Sequence, residues 1–127
     1  MRLQKMKIIL PIMALALAAL PGPMATGHEF AADASVTLNN NGDIFKGRVS
    51  SDRGRCERGR KVTLMRDFKK KPSKAVGSDV TNKKGRYRIV KENARGRYFV
   101  KVARKLNTPY GHRHNCKGTR SSTIKAK

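Results

Sequence analysis

The sequence predicts an all-β domain: a small antiparallel β-sandwich of seven strands that follows an N-terminal export signal. Three observations support this fold class. Apolar and polar residues alternate along short segments, turns rich in glycine and asparagine separate these segments, and almost no segment has the periodicity of a long amphipathic helix. A chain of 127 residues allows one such domain.

The first 27 residues have the pattern of a secretory signal peptide. Three basic residues precede a mostly apolar run over residues 8–20, and a Pro-Gly-Pro break follows it. This run is shorter than the roughly 20 apolar residues that a membrane span needs, and it contains Pro11. Small residues before His28 favour cleavage after Gly27, whereas a cut after Ala25 is disfavoured because Pro23 would lie three residues before it. An uncleaved anchor is the alternative to a cleaved signal peptide.

These features divide the chain into a signal peptide (1–27), a flexible N-terminal segment (28–34) and the sandwich domain (35–127). The protein is therefore expected to be secreted, with the cell envelope as an alternative place of retention, and to have no transmembrane segment after cleavage. Cleavage lowers the formal net charge of +22 by three, because the leader holds three basic residues and no acidic ones.

The first predicted strands lie on either side of an asparagine-rich turn. "SVTL" places Val36 and Leu38 on one face, and "IFKGRVS" directs Phe45 and Val49 inward. A polar loop with Cys56 follows. The next segment, "KVTLMRD", alternates with Val62 and Leu64 on the core face and Met65 on the other face. A lysine-rich loop, "KKKPSK", comes after it, since Pro72 cannot occupy the middle of a sheet.

The segment "VGSDVTNKKGRYRI" (76–89) is predicted to be a β-hairpin with Asn82 and Gly85 at its turn. Its expected inward residues are Val76, Ser78, Val80, Tyr87 and Ile89. After a second turn, "NARG", the strand "RYFVKVAR" has its expected inward residues at Tyr98, Val100 and Val102. A loop from Lys105 to Ser121 carries Cys116, and residues 122–126 form a closing strand.

The two cysteines, Cys56 and Cys116, both follow the leader. Outside the reducing cytoplasm, an even pair without metal-type spacing predicts a disulfide, with two free thiols as the alternative. The bridge would close a loop of about 60 residues and stabilise the fold by at most about 4 kcal/mol.

A pattern of glycine, valine, threonine and tyrosine recurs along the predicted strands, at Gly47, Val49, Thr81, Gly85, Tyr87, Gly96 and Tyr98. In this pattern the chain resembles the carboxypeptidase regulatory-like and Cna B-type domains, which have the transthyretin-like (prealbumin-like) fold. The resemblance covers residues 44–103 and extends to small secreted bacterial proteins with a paired cysteine. It implies a seven-stranded Greek-key sandwich that serves as a scaffold or adhesion-type module. The first strand lacks the lysine and the last the asparagine of an isopeptide bond, and the end "TIKAK" lacks the hydrolase motif of the enzymatic relatives, so neither chemistry is carried over.

No catalytic motif is present: the chain has neither a nucleophile elbow nor a phosphate-binding loop, and its acidic residues are scattered singly. The protein is therefore predicted not to be an enzyme and to have no cofactor. Metal binding is weighed as an alternative function. His112, His114 and Cys116 alternate, and His28 would become the N-terminus, so the chain could be a secreted copper- or zinc-binding protein.

The basic composition is the strongest signal. Alternation directs six strand cations outward: Lys46, Arg48, Arg86, Arg88, Arg97 and Lys101. If the strands over 86–90 and 96–104 are neighbours, Arg86, Arg88, Arg97 and Lys101 form one cationic face, with Lys69, Lys70 and Lys71 as further contacts. Such a face attracts polyanions.

The predicted function is a secreted, non-enzymatic structural or binding module that docks cell-wall polymer or acidic polysaccharide at the envelope. Nucleic acid is disfavoured as the main target, because the chain is exported and only Phe99 is expected to be an outward aromatic residue. The alternative is a basic surface that only keeps the protein soluble.

Overall fold

A computed structural model describes residues 29–107 and 113–127 of the chain. This part is all-β, with twelve strands and one short 3-10 helix, Gly54–Cys56. The strands are β1 (Glu29–Ala32), β2 (Ala34–Val36), β3 (Asn39–Asn41), β4 (Ile44–Ser51), β5 (Lys61–Phe68), β6 (Lys71–Val80), β7 (Arg86–Val90), β8 (Arg97–Val102), β9 (Lys105–Asn107), β10 (Arg113–Cys116), β11 (Thr119–Arg120) and β12 (Ile124–Lys125). The predicted signal peptide (1–27) lies outside the described residues.

Two sheets face each other across the core. The β4 sheet has β7 on one side of β4 and both β2 and β3 on the other. The β5 sheet runs β6-β5-β8, and β11 and β12 both pair with the far side of β8. A small third sheet, β1-β10-β9, includes a parallel pairing between β1 and β10. The architecture is sandwich-like, as predicted.

The core consists of the inward residues of the two large sheets, and its prediction is largely confirmed. Each of these residues is at most 4% exposed: Phe45, Val49, Val62, Leu64, Tyr87, Ile89, Tyr98, Val100 and Val102. The rings of Phe45 and Tyr98 join the sheets with their centroids 4.8 Å apart. Burying a large apolar side chain stabilises a fold by about 1.5–3 kcal/mol, so period-two alternation accounts for the two-layer arrangement.

The strand count differs from the prediction of seven because several predicted connections are strands. The strand pattern is interrupted at Thr37–Leu38, which separates β2 from β3. The predicted loop from Lys105 to Ser121 contains β9, β10 and β11. The predicted lysine-rich loop supplies the start of β6, an edge strand whose unpaired side tolerates Pro72.

The N-terminal segment 28–34 was expected to be flexible, yet most of its described part is strand. Residues Glu29–Ala32 pair in parallel with β10, and the backbone N–H of Lys117 donates to the carbonyl of Ala32 at 3.0 Å. The single-sequence pattern missed this strand because its partner lies more than 80 residues away in the chain.

The predicted hairpin over residues 76–89 is wrong, although its turn is right. Gly85 has a φ of 78° and its N–H donates to the Asn82 carbonyl at 2.9 Å. However, β6 pairs with β5, whereas β7 pairs with β4. The turn therefore carries the chain from one sheet to the other. At this crossing, the backbone N–H of Arg88 donates to the Asp79 carboxylate at 2.8 Å. In a hairpin, a backbone carbonyl of the partner strand would accept this N–H.

The predicted inward face of β6 is right at Val76, which packs against the core, but wrong beyond it because of a β-bulge. Leu64 pairs with Gly77 and Met65 pairs with Ala75, so Val76 is the extra residue. The bulge shifts the alternation by one residue. Ser78 and Val80 consequently lie on the outer face, and Val80 is 57% exposed.

Gly47 and Tyr87, two positions of the family resemblance, form one contact at the break between β2 and β3. The Tyr87 hydroxyl donates to the Thr37 carbonyl at 2.6 Å, across the position of Gly47. A Cβ at Gly47 would overlap that carbonyl oxygen, which explains the requirement for glycine. Burial also raises the pKa of the Tyr87 hydroxyl well above its usual range.

Candidate anion-binding faces

The predicted cationic face of Arg86, Arg88, Arg97 and Lys101 does not form as one surface. Arg86 and Arg88 lie on β7 in the β4 sheet, whereas Arg97 and Lys101 lie on β8 in the β5 sheet. The expectation depended on β7 and β8 being neighbours. The crossing at residues 81–85 places the two strands in opposite layers, so each pair joins a different set of cations.

The first set lies on the outer side of the β4 sheet. Lys46 pairs with Arg88 and Arg48 pairs with Arg86, and all four residues are exposed. We call these four residues the β4 face. Directly opposite side chains have Cβ atoms about 4.5–5.5 Å apart, and successive rows are about 6.8 Å apart. Cations at these distances repel one another, so a bound anion would relieve the repulsion.

Few acidic groups offset this charge. Glu57 lies 3.9 Å from Arg48, and its other carboxylate oxygen accepts the Ser51 N–H. The Asp79 carboxylate is used by two backbone N–H groups. Lys46, Arg86 and Arg88 have no ion pair within the described part of the chain. A depression of about 370 Å³ lies over the face and is bordered by Thr37 and Asn39.

The second set lies on the outer side of the β5 sheet. Lys101 pairs with Arg120 of β11, and Arg97 pairs with Lys125 of β12. We call these four residues the β8 face. Asp67 is the carboxylate partner of Arg97, at 3.8 Å.

Phe99 lies between the two rows of the β8 face and is not available as an outward aromatic platform. The Arg120 guanidinium lies over its ring, with Cζ 3.8 Å from the centroid. Met65 is its cross-strand neighbour, and Phe99 is only 4% exposed. Its position on the outer side was predicted correctly, whereas its accessibility was not, because the stacking arginine comes from β11.

Lys69, Lys70 and Lys71 lie at the turn from β5 to β6 and are exposed, as expected of a lysine-rich turn. Together with Arg97 they line a depression of about 300 Å³. Lys71 also lies over the Phe68 ring, with Nζ 5.9 Å from the centroid. These lysines therefore neighbour the β8 face and not the β4 face.

The predicted disulfide between Cys56 and Cys116 is present, and both residues are at most 2% exposed. It connects the 3-10 helix after β4 to β10 of the small sheet. The bridge and the absence of free cysteines are compatible with an oxidising location.

Sequence reasoning missed Arg60, which is fully buried beside this disulfide. Its guanidinium donates to three backbone carbonyls: Cys56 at 2.6 Å, Lys117 at 2.7 Å and Ala103 at 2.9 Å. Burial lowers the pKa of Arg60, and it also lowers the pKa of the neighbouring Lys105, with the Arg60 and Arg58 charges as further causes. Arginine remains protonated in proteins, so Arg60 is a buried cation held by carbonyl dipoles.

The candidate metal ligands are largely beyond the described residues. His28 and His112 lie outside them, and only the backbone of His114 is described, in β10. The Cys116 sulfur is in the disulfide and therefore supplies no thiolate. Within residues 29–107 and 113–127, no three histidine, cysteine or acidic residues are grouped as a metal site would require.

Comparison of the chain with protein-family models, with curated proteins and with solved structures gave no match. The family resemblance is therefore still a prediction, and the described structure itself defines the class of protein: an all-β, disulfide-bonded domain with basic outer faces. In the part of the chain that the structure describes, no helix is both long and apolar enough to cross a membrane.

Proposed function

We propose that this chain is a secreted, non-enzymatic binding module that docks an acidic polysaccharide or anionic wall polymer on its basic surface. The observation that carries the proposal is the β4 face, where four exposed cations form two adjacent rows and only Arg48 has an acidic partner among the described residues. We also propose the transthyretin-like sandwich class for this domain. The positive φ angles of Gly85 and Gly96 and the close packing at Gly47 support that assignment.

The chemistry of the β4 face suits carboxylate and sulfate groups. Three of its four cations are arginines, whose planar guanidinium groups can donate two parallel hydrogen bonds to one oxyanion. A single surface contact of this kind contributes about 0.2–1 kcal/mol, which is too little for a free anion to bind tightly. A polymer engages several contacts at once, so a repeated anionic chain is the ligand that such a face favours.

An acidic polysaccharide fits this face better than a nucleic acid does. Proteins that hold single-stranded nucleic acid stack its bases on aromatic side chains. The large apolar residues exposed in the described structure are aliphatic: Val80, Val90 and Leu106. Phe99 is covered by Arg120. Binding through charge alone, without base stacking, is expected from this surface.

The test compares two double variants on immobilised heparin, a sulfated polysaccharide. Arg86→Gln with Arg88→Gln removes two charges from the β4 face, and Lys83→Gln with Lys84→Gln removes two from the exposed turn beside it. Long heparin chains engage the whole basic surface at once, so we expect the first variant to lose about tenfold in affinity for them, because two contacts of roughly 0.7 kcal/mol disappear. The turn variant should lose clearly less.

Equal losses in the two variants would contradict a specific face and favour a surface that is only solubilising. Single-stranded DNA serves as the competitor in the same assay. Free heparin and DNA are compared by the amount, per charge, that displaces the protein from the immobilised heparin. If DNA displaces the protein at the lower amount, nucleic acid is favoured as the ligand.

A further inference from the structure

The two basic faces point in opposite directions. The inner sides of the β4 and β5 sheets are joined through the core, where Phe45 contacts Tyr98. Lys46 follows the buried Phe45 and Arg48 precedes the buried Val49, so both cations project away from the core. Arg97 does the same beside Tyr98. Because facing sheets are about 10 Å apart, the charged groups of the two faces are separated by roughly 20 Å.

The β8 face has its own means of holding an anion. In the described structure Lys101, Arg120 and Lys125 have no ion pair, and Asp67 pairs only with Arg97. The Phe99 ring holds the Arg120 guanidinium by a cation–π contact, which restricts its motion. The N–H groups at the edge of that guanidinium can still donate to a carboxylate or sulfate.

We infer that the protein is bivalent: it binds one acidic polysaccharide strand on the β4 face and a second on the β8 face, and so crosslinks them. This inference rests on the proposed function. The separation of the faces exceeds the Debye length of about 8 Å at physiological salt, so occupation of one face leaves the other nearly unaffected. The ligand of both faces is the same chemical class, a chain of sugars with repeated carboxylate or sulfate groups.

The test is a two-step capture with heparin hexasaccharides, which are too short to wrap around the domain. An immobilised hexasaccharide first captures the protein, and a fluorescent hexasaccharide is then added. Wild type should capture the second oligosaccharide. Two double variants each remove two charges from one face: Arg86→Gln with Arg88→Gln, and Lys101→Gln with Lys125→Gln. Each should keep the first capture through its intact face and lose the second capture by about tenfold, the loss expected for two missing contacts.

A matched variant with one change on each face, Arg88→Gln with Lys101→Gln, loses the same charge and should retain more bridging than either single-face variant. Wild type that binds the first oligosaccharide but not the second would overturn bivalency and leave the proposed function intact. Absence of any capture would overturn both. Full bridging by the β8-face variant would also overturn the inference, because it would indicate two copies of the chain that use one face each.

Discussion

Replacing Arg60 with alanine is expected to lower the free energy of unfolding by about 3–5 kcal/mol, because one buried carbonyl loses its donor at a cost of roughly 1–3 kcal/mol and two part-buried carbonyls lose theirs at about 1 kcal/mol each. Those carbonyls belong to Cys56, Ala103 and Lys117, which come from three separate parts of the chain. Domains of this size are stable by only about 5–15 kcal/mol, so this variant should be close to unfolding under native conditions. Urea denaturation followed by circular dichroism measures the effect.

Two further variants separate this role of Arg60 from its charge. Arg58→Ala removes a nearby exposed cation of the same loop and should change stability by less than about 0.5 kcal/mol. Arg60→Lys keeps the charge but replaces the planar guanidinium with a single nitrogen. It should therefore recover only part of the stability that Arg60→Ala loses. An Arg60→Ala protein as stable as Arg58→Ala would contradict the assigned hydrogen bonds.

Removal of the disulfide by the double change Cys56→Ala and Cys116→Ala should cost roughly 4 kcal/mol, for a sequence separation of 60 residues. The loss should also be local. Cys116 ends β10, which pairs with β1 and β9, so the small sheet depends on the bridge for its attachment. Amide hydrogen exchange should show β9 and β10 losing protection before β5 and β8. Uniform loss of protection across all strands would contradict this attachment.

The sequence predicted the core well because burial in a sheet follows from a local pattern. Val62 with Leu64 and Tyr98 with Val100 alternate with polar neighbours, and their alternation specifies a buried face whichever strands become their partners. The disulfide was predictable for a different reason: the chain has two cysteines, which allow a single pairing, and the predicted export favoured an oxidised pair.

Strand pairing and the faces that depend on it were not predictable in the same way. The Asn82–Gly85 turn depends only on residues within it. The same turn forms whether the two strands that flank it pair with each other or belong to separate sheets. The sequence therefore identified Arg86 and Arg97 as outward cations but assigned them to one surface. The bulge at Val76 likewise reversed the direction of Val80 through a contact with β5.

The burial of Arg60 could not be predicted from the polarity of the sequence. This residue lies in a stretch with Arg53, Arg55 and Arg58, and nothing in its spacing distinguishes it from those exposed residues. Its burial results from carbonyls contributed by segments more than 40 residues further along the chain. Only the assembled fold brings those groups together.

The salt dependence of heparin binding tests the central claim most directly, because docking on charge alone must release counterions. Isothermal titration of the wild-type protein with a heparin hexasaccharide should give an affinity that falls on the order of a hundredfold between about 50 and 200 mM salt, as expected for about four ionic contacts. An affinity that stays constant over this range would contradict electrostatic docking on the basic faces.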